Sequence, residues 1–220
     1  QFVFSSEEYP EYSTSIYNDV VGVWINGTHV PLSVTESPAA VSQINQNENI
    51  NLYVDNTGDD YNTEMDGFTL TMTLNIPVTA GQENTLQVGI ADTSDSSYDS
   101  NLLIAADSVQ TQLVAENDDL TIGFGGTKNL AALANELNQT GGTLEITHIN
   151  GVAVSAGDQV TLPTGQKVTL LADGTFDIEA DQDEEVVNFT YGVQSVDDTG
   201  TVLEDDVGFI TVKTIPCFVA

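Results

Sequence analysis

Apolar and polar residues alternate in short stretches along the whole chain: Asp19 to Trp24, Ile50 to Val54, Gly67 to Leu74, Leu86 to Ile90, Leu102 to Ala106, Leu144 to Ile149, Gln166 to Leu171 and Phe209 to Val212. Alternate side chains of an extended strand point to opposite faces, so this pattern is that of strands with one face buried. Between them lie Asn26-Gly27, Thr57-Gly58-Asp59-Asp60, Asn150-Gly151, Asp173-Gly174 and Thr199-Gly200, each offering a residue that tolerates positive φ in a tight turn. Only Thr127 to Asn138 has helical spacing, with Leu130, Ala131, Leu133, Ala134 and Leu137 three or four apart and Gly141-Gly142 as a stop. Many short strands with frequent turns predict an all-β protein of sandwich type, with one short helix at most.

The charge balance narrows the partners. The 34 Asp and Glu face three basic residues, Lys128, Lys167 and Lys213, for a formal net charge of −31. Phosphate backbones are bound by Lys and Arg, so nucleic acid is excluded as a partner, and anionic lipid is repelled in the same way. Disorder is the ordinary reading of such a charge, but 40% of the residues are hydrophobic and the acids are dispersed among strand patterns. What remains is an acid-rich surface kept soluble in salt, or carboxylates that gather cations. No stretch approaches the roughly 18 apolar residues of a membrane span, so direct membrane insertion is not expected. The opening Gln-Phe-Val-Phe reads as mid-strand, which suggests a segment of a longer secreted precursor.

A chain of 220 residues holds two ordinary domains. The acidic stretch Ala115-Glu116-Asn117-Asp118-Asp119 suggests a junction, giving domains over 1–113 and 114–213 and a tail over 214–220. The single cysteine, Cys217, has no partner for a disulfide within the chain.

Three resemblances follow from particular residues. Phe4-Ser5-Ser6-Glu7-Glu8-Tyr9 with Glu11-Tyr12, then Tyr17-Asn18-Asp19-Val20-Val21-Gly22, Asp66-Gly67-Phe68-Thr69, and Ile90-Ala91-Asp92 with Tyr98-Asp99-Ser100 resemble, in that order, the choice-of-anchor L domain of bacterial secreted and surface proteins. The resemblance implies a jelly-roll-like sandwich outside the cell. Asn117-Asp118-Asp119, Asn129 to Asn138, Asp173-Gly174-Thr175-Phe176 and Phe189-Thr190-Tyr191-Gly192-Val193 resemble the cadherin-like or immunoglobulin-like repeats of large bacterial adhesins, although the acidic run Glu179 to Glu185 departs from their usual loop. Ile215-Pro216-Cys217-Phe218-Val219-Ala220 is similar to the junction where a Hint autoprocessing domain begins, with Cys217 as its first residue. Without the histidines and fold that activate such a thiol, Cys217 is expected to be inert here.

Calcium takes six to eight oxygens from carboxylates, amides and carbonyls, which loops rich in Asp and Asn supply. The candidate ligands are Glu7, Glu8, Asn18, Asp19, Asp66, Asp92, Asp95 and Asp99, because these gather at strand ends and no basic residue lies near them in the sequence. Solvated surface acid is the ordinary reading of any one of them. Asp55, Asp59 and Asp60, and Asp197-Asp198 with Asp205-Asp206, are read as solvated turns. His29 and His148 are too far apart to suggest zinc, and no Gly-x-Ser-x-Gly marks a nucleophile. No catalytic residue is therefore predicted.

The reading is a secreted structural protein of the bacterial surface, adhesin-type or a filament subunit, with calcium-stabilised loops. Its expected partners are other copies of itself or a surface glycan. Phe2, Phe4 and Phe209 to Val212 are expected to be open strands that a neighbour could extend. The alternative is a calcium-dependent, lectin-like carbohydrate-binding module that uses Tyr9, Tyr12, Tyr17, Tyr61 and Tyr98; burial of those rings would remove its support.

Overall fold

The computed structural model describes residues 1–30, 40–94 and 96–216, and their regular structure is β apart from two 3-10 turns. It divides into two compact units, Gln1–Ala105 and Ala106–Ala220.

The first unit contains β1 (Phe2–Ser6), β2 (Val20–Ile25), β3 (Thr28–Val30), β4 (Tyr53–Asp55), β5 (Gly67–Thr69), β6 (Leu86–Ala91) and β7 (Ser100–Ile104). They form two antiparallel sheets, in the orders β4-β5-β1-β7 and β3-β2-β6. Asn26 and Gly27 have φ of 52° and 79°, the pair of left-handed residues that joins two twisted strands in a two-residue turn. Phe4, Val21, Val23, Ile44, Leu52 and Met72 are buried, and so are Glu8, Asp19, Asn45, Asn51 and Asn56. This interior is part apolar and part polar.

The second unit contains β8 (Leu113–Val114), β9 (Asp118–Gly123), β10 (Thr127–Leu130), β11 (Leu137–Asn138), β12 (Thr143–Ile149), β13 (Val152–Ala153), β14 (Gln159–Thr161), β15 (Lys167–Leu170), β16 (Phe176–Glu179), β17 (Glu185–Val196) and β18 (Val202–Ile215). One sheet runs β13-β12-β17-β18-β9, a second runs β10-β16-β15-β14, and β11 pairs with β8. The β9–β18 pairing is parallel, and the others are antiparallel. One apolar cluster draws on both larger sheets, with Ile122, Ile146, Ile149, Phe189 and Ile210 from the first and Val168, Leu170, Phe176 and Ile178 from the second. Two sheets sharing one core make a sandwich.

Three expectations are corrected. Thr127 to Asn138 is not a helix: it is β10, a 3-10 turn at Ala132–Ala134, and β11. Lys128 opposite Ile178 and Leu130 opposite Phe176 lock its first half into a ladder, and ladder hydrogen bonds, with Leu130 packed against the core, outweigh helix propensities of a few tenths of a kcal/mol per residue. The strands expected to be open are paired on both sides. β1 lies between β5 and β7, and Phe209 to Val212 lies within β18, between β17 and β9. Asp206, read as part of a solvated turn, lies within β18 and is buried.

Candidate functional site

Where β1 ends, the chain turns at Ser6, whose Oγ accepts the Glu8 N–H at 3.0 Å. A second tie, from the Tyr12 N–H to the Glu8 carbonyl at 3.0 Å, winds this segment tightly and turns Glu8 inward. Glu8 and Asp19 are each 1% exposed. The Asp19 N–H donates to Glu8 Oε2 at 3.2 Å, and Asp19 Oδ1 accepts the Thr93 N–H at 3.3 Å. Asp19 Oδ2 is buried and has no hydrogen-bond partner among the described residues.

The neighbouring candidates hold this corner together. Asn18 Oδ1 accepts the Ser42 N–H at 2.9 Å. Glu7 meets Asp99 twice: its N–H donates to the Asp99 carbonyl at 3.0 Å, and its Oε2 accepts the Asp99 N–H at 3.0 Å. Asp92 follows β6 immediately, beside Thr93, and is exposed like Asp99. Asp66 precedes β5, and its carboxyl is raised above the ordinary range, first by burial and then by the charges of Glu11, Glu7, Asp59 and Asp55. The end of β1, the segment before β2 and the segment after β6 thus meet around Glu8 and Asp19, with Glu7, Asn18, Asp92 and Asp99 on those same segments. Asp66 belongs to an acidic neighbourhood on the β5 side. Asp95 and Cys217, with the expected Hint junction, lie outside the described residues.

The chemistry of this corner is that of two buried carboxyl side chains in a unit whose residues 1–105 contain no Lys or Arg. Among the described residues no three His, Cys, Asp or Glu side chains stand together as a ready metal cage. An ion here would take the two carboxylates and complete its shell with amide and backbone oxygens, as calcium does.

The tyrosines divide between interior and surface. Tyr9 is fully buried, with its ring 5.0 Å from Tyr53 and 6.5 Å from Phe4, and its hydroxyl has no hydrogen-bond partner among the described residues. Burial pushes the Tyr9 and Tyr53 hydroxyls far above the ordinary range. Tyr61 packs on Phe68 at 5.0 Å and is half exposed. Tyr12 contacts Tyr17 at 5.7 Å and Tyr98 at 5.2 Å, and the Tyr12 and Tyr98 hydroxyls are 3.4 Å apart. With Tyr98 41% exposed, these three rings form an aromatic surface on the same segments as the acidic corner.

The family model of the choice-of-anchor L domain matches residues 1–110. No curated protein matches the chain. Among solved structures, the sialic acid binding region of the Streptococcus sanguinis SK1 adhesin, bound to 3'sLn, is similar at 15% identity and a TM-score of 0.23, over 53% of this chain and 33% of that one. The chain therefore spans about a third of that structure's length.

Proposed function

The chain belongs to the choice-of-anchor L domain family, and from that premise we propose that it is a non-catalytic structural module of a surface-anchored bacterial protein, of adhesin or filament type, whose first unit is fastened by calcium. In this reading the second unit is an adhesin-repeat-like sandwich. Among the described residues no helix is long and apolar enough to cross a membrane.

The observation that carries the calcium reading is Asp19: its carboxyl is 1% exposed with one oxygen unpartnered among the described residues, its backbone N–H donates to the buried carboxyl of Glu8, and residues 1–105 contain no Lys or Arg. Leaving a buried charge uncompensated costs on the order of several kcal/mol per ion, and a divalent cation with hard oxygen ligands removes that cost. Ion binding would tie the segments before β2 and after β6 to the end of β1, so that these loops keep their shape outside the cell.

The test is thermal melting of the whole chain followed through Trp24, the single tryptophan, which lies in β2 and so reports on the first unit. Calcium at roughly a thousandfold excess over Kd adds about 4 kcal/mol, which for a domain of this size raises the transition by about 20 °C over the chelated protein. Asp19→Asn is expected to remain folded and to lose that shift. A melting temperature unchanged by calcium or chelator sinks the cation reading.

The Tyr12, Tyr17 and Tyr98 surface supports a second reading, calcium-dependent glycan binding, because exposed rings beside an ion-ordered loop can stack on sugar faces. Burial of Tyr9 removes it from that surface. Glycan-array binding in calcium that is lost in Tyr98→Ala, with melting unchanged, would support this reading. An array without signal at millimolar glycan would end it.

A further inference from the structure

In the second unit the segment joining β8 to β9 is tied at two places to side chains of β17 and β18. The Ala115 N–H donates to Asp206 Oδ2 at 2.9 Å, and Asp206 Oδ1 accepts the Val207 N–H at 2.8 Å. At Glu116 the tie is a closed ring. The Glu116 N–H donates to Glu136 Oε2 at 2.6 Å, the Tyr191 hydroxyl lies 2.9 Å from the Glu116 carbonyl oxygen, and the same hydroxyl is in hydrogen-bond contact with Glu136 Oε1. Tyr191 is fully buried and reaches this point by passing over Gly208, where a Cβ would stand 2.4 Å from the ring.

The ring has three contacts but, with Glu136 ionised, only two protons: the Glu116 amide proton and the Tyr191 hydroxyl proton. Two acceptors, Glu136 Oε1 and the Glu116 carbonyl, then compete for one hydroxyl proton. With Glu136 neutral every contact is made. The acid proton on Oε1 goes to the Tyr191 oxygen, the Tyr191 proton goes to the Glu116 carbonyl, and the Glu116 N–H goes to Oε2.

The surroundings favour the neutral acid as well. The charges acting on Glu136 are Asp118 at the start of β9 and Asp206 in β18, both acidic. Asp118 is itself beside Asp119, accepts from Asn135 Nδ2 at 3.2 Å, and has its Oδ2 buried without a hydrogen-bond partner among the described residues.

We propose that Glu136 is a structural proton site, whose neutral acid fastens the Ala115–Asn117 segment to Tyr191 of β17 and whose ionisation loosens it, making the entry into β9 tighter in mildly acidic surroundings than in alkaline ones.

Burial is the largest influence on Glu136 and carries its carboxyl up to about 7 against the bonds from Tyr191 and Glu116; burial likewise carries Asp118 up to about 6. A carboxyl raised in the folded state contributes stability that is complete below its ordinary value of 4.5 and is lost as pH rises through about 7.

Two measurements on the full chain test the proposal. The first is the side-chain carboxyl 13C shift of Glu136 against pH, assigned by the signal missing in Glu136→Gln. A midpoint near 7 is expected, and a midpoint near 4.5 overturns the proposal. The second is melting of the second unit at pH 5 and pH 8 in wild type and Glu136→Gln. The amide supplies an N–H to the Tyr191 oxygen and a carbonyl to the Glu116 N–H, so it copies the neutral acid at every pH. The variant is expected to match wild type at pH 5 and to melt several degrees higher at pH 8. A variant that melts no higher than wild type at pH 8 overturns the proposal.

Discussion

The two units bury carboxylates by different means. In the first, Glu8 and Asp19 are buried in a partly polar interior, in a unit whose residues 1–105 contain no Lys or Arg. In the second, Asp206 is held by two backbone N–H groups and Glu136 by a backbone N–H and a tyrosine hydroxyl, above one continuous apolar core. An apolar core of that extent stabilises a sandwich by itself. A mixed interior leaves more of the stability to its polar corners, and the cation proposed for the Glu8 and Asp19 corner would act there.

The largest effect expected in the second unit tests whether its stability is carried by the core. Phe189 is fully buried in β17 opposite Ile210, and Phe189→Ala should cost about 3–5 kcal/mol through lost burial and the cavity left behind. Chemical denaturation of the full chain, with calcium and with chelator, should give the same loss for the second unit's transition. If the loss vanishes in calcium, the contrast between a unit proposed to depend on a cation and one carried by its core is wrong.

Much of this contrast was legible in the sequence because it depends on local pattern. Four alternating stretches became β2, β6, β12 and β15 within a residue or two, whereas Ile50 to Val54 opens as a 3-10 turn over Ile50–Leu52 and Gly67 to Leu74 is strand only over β5; Asn26-Gly27 and Asn150-Gly151 carry the positive φ expected of them. Glu8 and Asp19 could be singled out because they flank strands, and the structure places them in contact. What was not legible depends on partners far along the chain. Phe2 and Phe4 looked like an open edge because nothing local reveals that Phe2 pairs with Ile104 and Phe4 with Leu102. The leucine and alanine spacing of Thr127 to Asn138 is helical in isolation, and only β16, some fifty residues later, makes its first half a strand. Nothing in the sequence signalled that Glu136 and Tyr191 meet. A glutamate after Asn135 and a tyrosine inside an alternating strand are ordinary, and their meeting is a product of the β8–β11 and β17–β18 pairings. The acids of β18 misled in the same way, since Asp205-Asp206 reads as a turn until the strand is seen to run fourteen residues.

The smallest expected effect has the opposite sign and sharpens the account of the first unit. Tyr9 is fully buried between Phe4 and Tyr53, yet its hydroxyl has no hydrogen-bond partner among the described residues. A buried hydroxyl without a partner costs roughly 1–3 kcal/mol, and replacing it with an apolar group of the same shape removes that cost. If the unit's polar dependence is confined to Glu8 and Asp19, Tyr9→Phe should raise the Trp24-monitored transition, by the equivalent of about 1 kcal/mol, equally in calcium and in chelator. If Tyr9→Phe instead lowers the transition in calcium alone, the hydroxyl serves the ion's shell. The ion-dependent corner then extends from Asp19 through the Glu8-Tyr9 turn to the aromatic floor beneath it, and the first unit's interior is built around the cation.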